Sequence, residues 1–178
     1  MRKPVPVRSN VVAYHGTNHS FDRFDHGHQG RSCGNPTTRF GFFFTSDKDD
    51  ALSWPRRAAT KFNRQGFFPK LETLSPKLLT VDLGAPLLFE MSPEKFKSFL
   101  GKARPATIDK HRARLQAEGY DGFTVQSEQG RWFCLFDCTA LTIIKTESCS
   151  LEVGEPAIAA EQPPVIAPTI PNLSQYLP

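Results

Sequence analysis

Apolar positions form short runs near the start of the chain, take helical spacing in its middle, and return to short runs before residue 146. Residues 11–15 and 41–45 are compact apolar runs of strand length, each closing on small or hydroxylated residues. Residues 47–64 place Ala51, Leu52, Ala58, Ala59 and Phe62 on one stripe behind a Ser46 or Asp47 cap, with acids in the first turn. That pattern predicts a helix, and Pro55 predicts that it is kinked or divided. Residues 78–83 and 86–91 read as strands separated by Gly84. Ser92-Pro93-Glu94 is a cap with proline in the first turn, leading to Phe96, Phe99 and Leu100 and stopping at Gly101. A further helix spans about residues 106–118 and stops at Gly119. Residues 121–126, 132–137 and 141–145 predict three closing strands, the first two joined by a polar turn at 127–131. Strands at both ends with helices between them predict an α+β fold rather than an alternating parallel one.

Composition sharpens the boundaries. From Glu155 onward the chain is rich in Pro, Ala, Ile and Glu, a composition that excludes helix and inner strand and favours an extended path. The expected organisation is an N-terminal extension at 1–10, a folded domain at 11–149 and a disordered Pro/Glu-rich tail at 150–178. At 178 residues, 39% hydrophobic and with 15 Phe, the chain can build one core plus an appendage. No apolar run approaches a membrane span, and Arg2, Lys3 and Arg8 precede no long apolar stretch, so a cytoplasmic protein is expected. Cys33, Cys134, Cys138 and Cys149 have neither CxxC spacing nor a nearby histidine at ligand spacing. Reduced thiols and no metal are the expectation.

The formal charge of +4 is unevenly placed. Residues 147–178 hold four Glu and no Lys or Arg, leaving 22 basic against 14 acidic residues in the remainder, a charge of +8. Such a body suits a phosphate-bearing cofactor, an RNA or an acidic protein, although the charges are dispersed. No Gly-x-Gly-x-x-Gly or Walker pattern occurs, which leaves Rossmann and P-loop readings without support.

Two stretches carry candidate chemistry. Tyr14-His15-Gly16-Thr17 supplies an imidazole next to backbone that a ligand can approach, and Gly41-Phe42-Phe43-Phe44-Thr45-Ser46 supplies aromatic rings. Alternation puts those rings on both faces of the strand, so at least one is core and Phe43 is the nominee for a cleft. Imidazole and ring face together suit a flat cationic ring joined to a sugar.

These stretches, with Phe21-Asp22-Arg23-Phe24-Asp25, Gly119-Tyr120-Asp121-Gly122-Phe123 and Trp132-Phe133-Cys134-Leu135-Phe136-Asp137-Cys138-Thr139, resemble bacterial and phage ADP-ribosyltransferases over residues 11–145. They are most like the domains of phage polyvalent proteins, and the closing hairpin also resembles that of phage anti-CRISPR ADP-ribosyltransferases. The resemblance implies a split, bent β core with flanking helices and an NAD cleft between its halves. It implies that His15 bonds the nicotinamide ribose, that the Gly16 backbone holds the carboxamide, and that Thr17 assists on the ribose side. Phe43 falls where a tyrosine usually stacks on nicotinamide, keeping the ring face while losing a hydroxyl. Tyr14, Phe44, Ser46 and Gln126 are further expected contacts, and Arg39 is expected at the pyrophosphate.

The chain departs from that pattern at the acid. Trp132 stands where the family places a glutamate, and the nearest acid is Glu128, with Gln126 two residues before it. A slipped hairpin brings Glu128 into the cleft, whereas an unslipped one leaves it in water; Asp121 is the substitute. The acid matters because breaking the nicotinamide–ribose bond builds an oxocarbenium-like charge that a carboxylate stabilises. The expected activity is therefore mono-ADP-ribosyl transfer from NAD to a macromolecular acceptor, preferably protein, in a phage, effector or toxin setting. Glu128 and His15 are its expected catalytic residues. The alternatives are a non-catalytic module that binds a nucleotide, RNA or protein, and an NAD glycohydrolase.

Overall fold

Strands form where apolar runs alternate, and helices form where caps precede a stripe. The computed structural model describes residues 10–28, 36–63, 76–100 and 103–149, with 56–63 as backbone only. Its elements are β1 (Val12–Thr17), β2 (Phe42–Thr45), α1 (Lys48–Asn63), β3 (Lys77–Asp82), β4 (Leu88–Met91), α2 (Pro93–Phe99), α3 (Pro105–Ala117), β5 (Gly122–Ser127), β6 (Gly130–Leu135) and β7 (Thr142–Ser148). The fold is α+β. Residues 1–9 of the expected 1–10 extension, the tail at 150–178, Cys33, Lys102 and the basic side chains of 56–64 lie outside the described residues. No helix among the described residues is long and apolar enough to cross a membrane.

The strands make a seven-stranded mixed sheet in the order β4-β5-β6-β2-β1-β3-β7, with β4 and β5 parallel and the other neighbours antiparallel. One junction is thin. β1 and β3 pair along their length from Val12↔Asp82 to Thr17↔Lys77, and β2 pairs with β6 from Phe42↔Leu135 to Thr45↔Trp132. Between β1 and β2 the register holds only at Tyr14↔Thr45, so the sheet parts into halves along this seam.

The faces of the sheet bury separate cores. Phe40, Met91, Phe123 and Cys134 pack under Phe96 and Phe99 of α2 and Ile108 and Leu115 of α3. Ala13, Phe42, Phe44, Leu79, Val81, Phe133 and Leu135 form the second core, closed over by Phe24. Burying each such side chain is worth roughly 1.5–3 kcal/mol, so the aromatic content goes largely into these layers.

Local chemistry sets the helices. Ser92 Oγ accepts from the Lys95 N–H at 3.2 Å, the expected cap for a helix with Pro93 in its first turn. Asp47 Oδ1 accepts from the Asp50 N–H at 2.7 Å and starts α1 in the same way. Pro55 does not divide α1, which runs unbroken from Lys48 to Asn63. Lacking an N–H, Pro55 cannot bond the carbonyl four residues earlier, that of Ala51. That oxygen instead lies against Gly16, where a Cβ would come within 1.9 Å of it and 2.7 Å of Pro55 Cδ. A glycine in β1 thus lets the proline-containing turn of α1 sit directly on the strand.

Candidate active site at the sheet seam

His15 occupies the seam. Its Nδ1 lies 2.8 Å from the Phe43 carbonyl oxygen, bridging β1 and β2 next to their single paired position. A carbonyl only accepts, so Nδ1 carries the hydrogen and Nε2 of the neutral ring is an acceptor. The ring is packed by Phe24 at 5.5 Å, Phe44 at 5.7 Å and Trp54 at 5.8 Å between centroids, although part of its surface is open. Burial lowers the imidazole pKa from its ordinary 6.5, with the Phe43 hydrogen bond pulling the other way. A neutral ring of one fixed tautomer results.

An acid reached from it through the Trp54 indole comes from α1. Asp50 is only 4% exposed, and its carboxylate accepts from two indoles: Trp54 Nε1 at 3.3 Å and Trp132 Nε1 at 2.7 Å. The two indoles stand edge to face at 6.3 Å, and Trp54 is also edge-on to His15. Imidazole, indole, carboxylate and indole therefore run in sequence from β1 through α1 to β6. The first turn of α1 supplies backbone N–H groups that favour a negative charge at this end. A pocket of about 250 Å³ opens here, lined by Asp47, Asp49, Asp50, Ser53 and Gln129.

The fold brings together some of the expected residues. His15 and Phe44 meet through their rings, and His15 and Phe43 meet through a side chain and a carbonyl. The Phe43 ring points to the opposite layer, against Phe96 and Phe123, because neighbouring residues of a strand alternate. The ring beside the imidazole is therefore Phe44, not Phe43. Gly16 is in contact with α1. Tyr14 stands opposite Thr45, and Thr17 Oγ1 accepts from the His19 N–H at 3.1 Å. Ser46 is fastened to the β6 hairpin: its N–H donates to the Arg131 carbonyl and its Oγ accepts from the Arg131 N–H, each at 2.9 Å.

Other expected residues lie elsewhere. Glu128 is exposed in the β5–β6 turn, whose next residue, Gln129, lines the pocket instead. Gln126 is exposed and bonds within its own hairpin, to the Ser127 and Gly130 carbonyls and Arg131 Nε. Arg39 holds Asp109 of α3 through two bonds, Nη2–Oδ2 at 2.7 Å and Nε–Oδ1 at 3.2 Å, a pairing that raises its pKa. Asp121 Oδ2 accepts from the Leu87 N–H at 2.8 Å and serves its turn. Sequence reasoning missed Asp50, Trp54 and Phe24. The available signal was an acid followed four residues later by Trp, opening the helix that follows the aromatic strand.

No protein-family model and no curated protein matches the chain. Among solved structures, it is similar to a chain of the M. tuberculosis MbcT–MbcA toxin–antitoxin complex, with a TM-score of 0.55 and 10% sequence identity over 82% of this chain and 87% of that one. At that identity the likeness is one of fold.

Proposed function

We propose that this chain is an NAD-cleaving enzyme that passes ADP-ribose to a macromolecular acceptor, protein by preference, at the seam between β1 and β2. The observation that carries the reading is that a neutral, tautomer-fixed His15 and the buried carboxylate of Asp50 both meet the Trp54 indole. With Nδ1 committed to Phe43, Nε2 would accept a ribose hydroxyl proton and orient the sugar. Trp54, half-buried, offers an apolar wall to the nicotinamide end, with the buried Phe44 ring behind the imidazole. When the C1′–N bond breaks, its electron pair leaves with nicotinamide and the ribose carbon becomes cationic. Asp50 takes the role that the family resemblance suggested for Glu128: a fixed negative charge near the seam, worth more as the cation forms. Both of its oxygens are engaged by indole N–H donors, so it acts through its field rather than as a base. The acceptor then attacks C1′, and its proton passes to solvent. The toxin–antitoxin origin of the fold neighbour supports a toxin-type role.

The second reading is a binding module without turnover. It draws support from Trp132 standing in the family's acid position and from both Asp50 oxygens already accepting bonds. Purified chain, labelled NAD and a cell extract separate the possibilities. Nicotinamide release with labelled protein supports transfer, and free ADP-ribose supports hydrolysis. Binding without release supports the module. Neither binding nor release overturns the NAD reading.

A further inference from the structure

Away from the seam, at the edge of the second core, three donors of different chemistry converge. His26 lies in a short 3-10 turn (His26–His28), while Asp137 and Cys138 follow the end of β6. One imidazole nitrogen, one carboxylate oxygen and the sulfur all lie within 4.8 Å of one another. His26 Nε2 stands 3.2 Å from Asp137 Oδ2. The other oxygen of that carboxylate, Oδ1, accepts from the Thr139 N–H at 2.6 Å and from the Thr139 hydroxyl. The carboxylate is thus held with Oδ2 toward the imidazole, the kind of outer bond that orients a metal ligand.

The third group is a free, half-buried thiol. Magnesium and calcium prefer sets made of oxygen alone, whereas nitrogen, oxygen and sulfur together suit zinc.

We propose that His26, Asp137 and Cys138 form a zinc site, with water completing the coordination. On binding, the Cys138 S–H proton passes to buffer as the zinc–sulfur bond forms. The site would fasten the segment after β1 to the end of β6. Phe24, two residues before His26, stands edge-on to His15 and packs on Phe42 and Phe44. Zinc would therefore hold the aromatic cover of the seam in place. This inference stands whether or not the chain cleaves NAD. Sequence spacing argued against a metal because 111 residues separate His26 from Asp137.

The test uses the full chain, reduced and stripped with a chelator, and titrated with cobalt(II) and then zinc. One equivalent of cobalt should give a near-ultraviolet thiolate-to-metal band that zinc abolishes. Cys138→Ser should remove the band and Cys149→Ser should retain it. Zinc affinity, from competition with a coloured chelator, should fall about 10- to 100-fold in His26→Ala and in Asp137→Asn. In the unmodified chain, zinc should slow alkylation of Cys138, located by peptide mass spectrometry, at least about tenfold. The alkylation result stands even if Cys138→Ser does not fold. Absence of the cobalt band in the unmodified chain, its persistence in folded Cys138→Ser, or alkylation of Cys138 indifferent to zinc would overturn the proposal.

Discussion

Trp132 Nε1 lies 2.7 Å from Asp50 Oδ2, so an indole of β6 donates a hydrogen bond to an acid supplied by another element. The bond crosses from β6 to the first turn of α1 and joins groups 82 residues apart. It places the negative charge of the candidate site on the helix instead of the hairpin.

Asp50→Asn keeps the shape of the side chain and removes its charge. NAD cleavage, followed as nicotinamide release, should fall roughly 10²- to 10³-fold. Glu128→Gln, on the exposed turn, should stay within about threefold of the unmodified chain. The reverse outcome would return the catalytic role to Glu128.

Trp132→Phe keeps an aromatic ring and deletes the N–H that Asp50 Oδ2 accepts. Losing a hydrogen bond to a buried carboxylate should cost about 1.5–3 kcal/mol, read from the denaturant midpoint at unchanged slope. An unchanged midpoint would show that the bond contributes nothing to the fold.

His15 should titrate below 6.5 by NMR, because burial disfavours its charged form. A folded value below the unfolded one means that stability from the neutral ring is complete above about pH 6.5 and is lost as pH falls through the folded value. Cleavage that needs Nε2 as an acceptor should persist where an ordinary imidazole is half-protonated and fail at lower pH. A midpoint above 6.5 would contradict the burial of the ring.

Gly16→Ala would set a methyl group 1.9 Å from the Ala51 carbonyl oxygen, so α1 or β1 must shift. The expected loss is about 1–3 kcal/mol in the denaturant midpoint, with reduced cleavage because Asp50 rides on the same helix. A variant of unchanged stability would mean that the helix does not depend on this contact.

Much of the fold was legible because its signals are local. The Ser92 cap, Pro93 in the first turn and the apolar runs correspond to observed elements within two residues, except that β7 runs three residues further than expected. Pro55 does not divide its helix because a freed carbonyl needs only space, which Gly16 supplies from a strand that helix propensity does not consider. At the site, His15 could be picked out from its setting, whereas the choice between Phe43 and Phe44 required knowing which face of β2 meets which core. Asp50 resembled any first-turn acid complementing a helix dipole. Trp54 four residues on is a faint local signal, whereas the arrival of Trp132 from β6 is tertiary.

The seam has a thermodynamic corollary. With β1 and β2 fastened at Tyr14 and Thr45, their neighbouring edges lack the ladder that the other strands enjoy. A guest lying in that gap would serve as a missing rung, linking the two halves by its own polar groups. Affinity and rigidity would then be one property: saturating guest should raise the melting temperature, and the bare protein should breathe first along this crease.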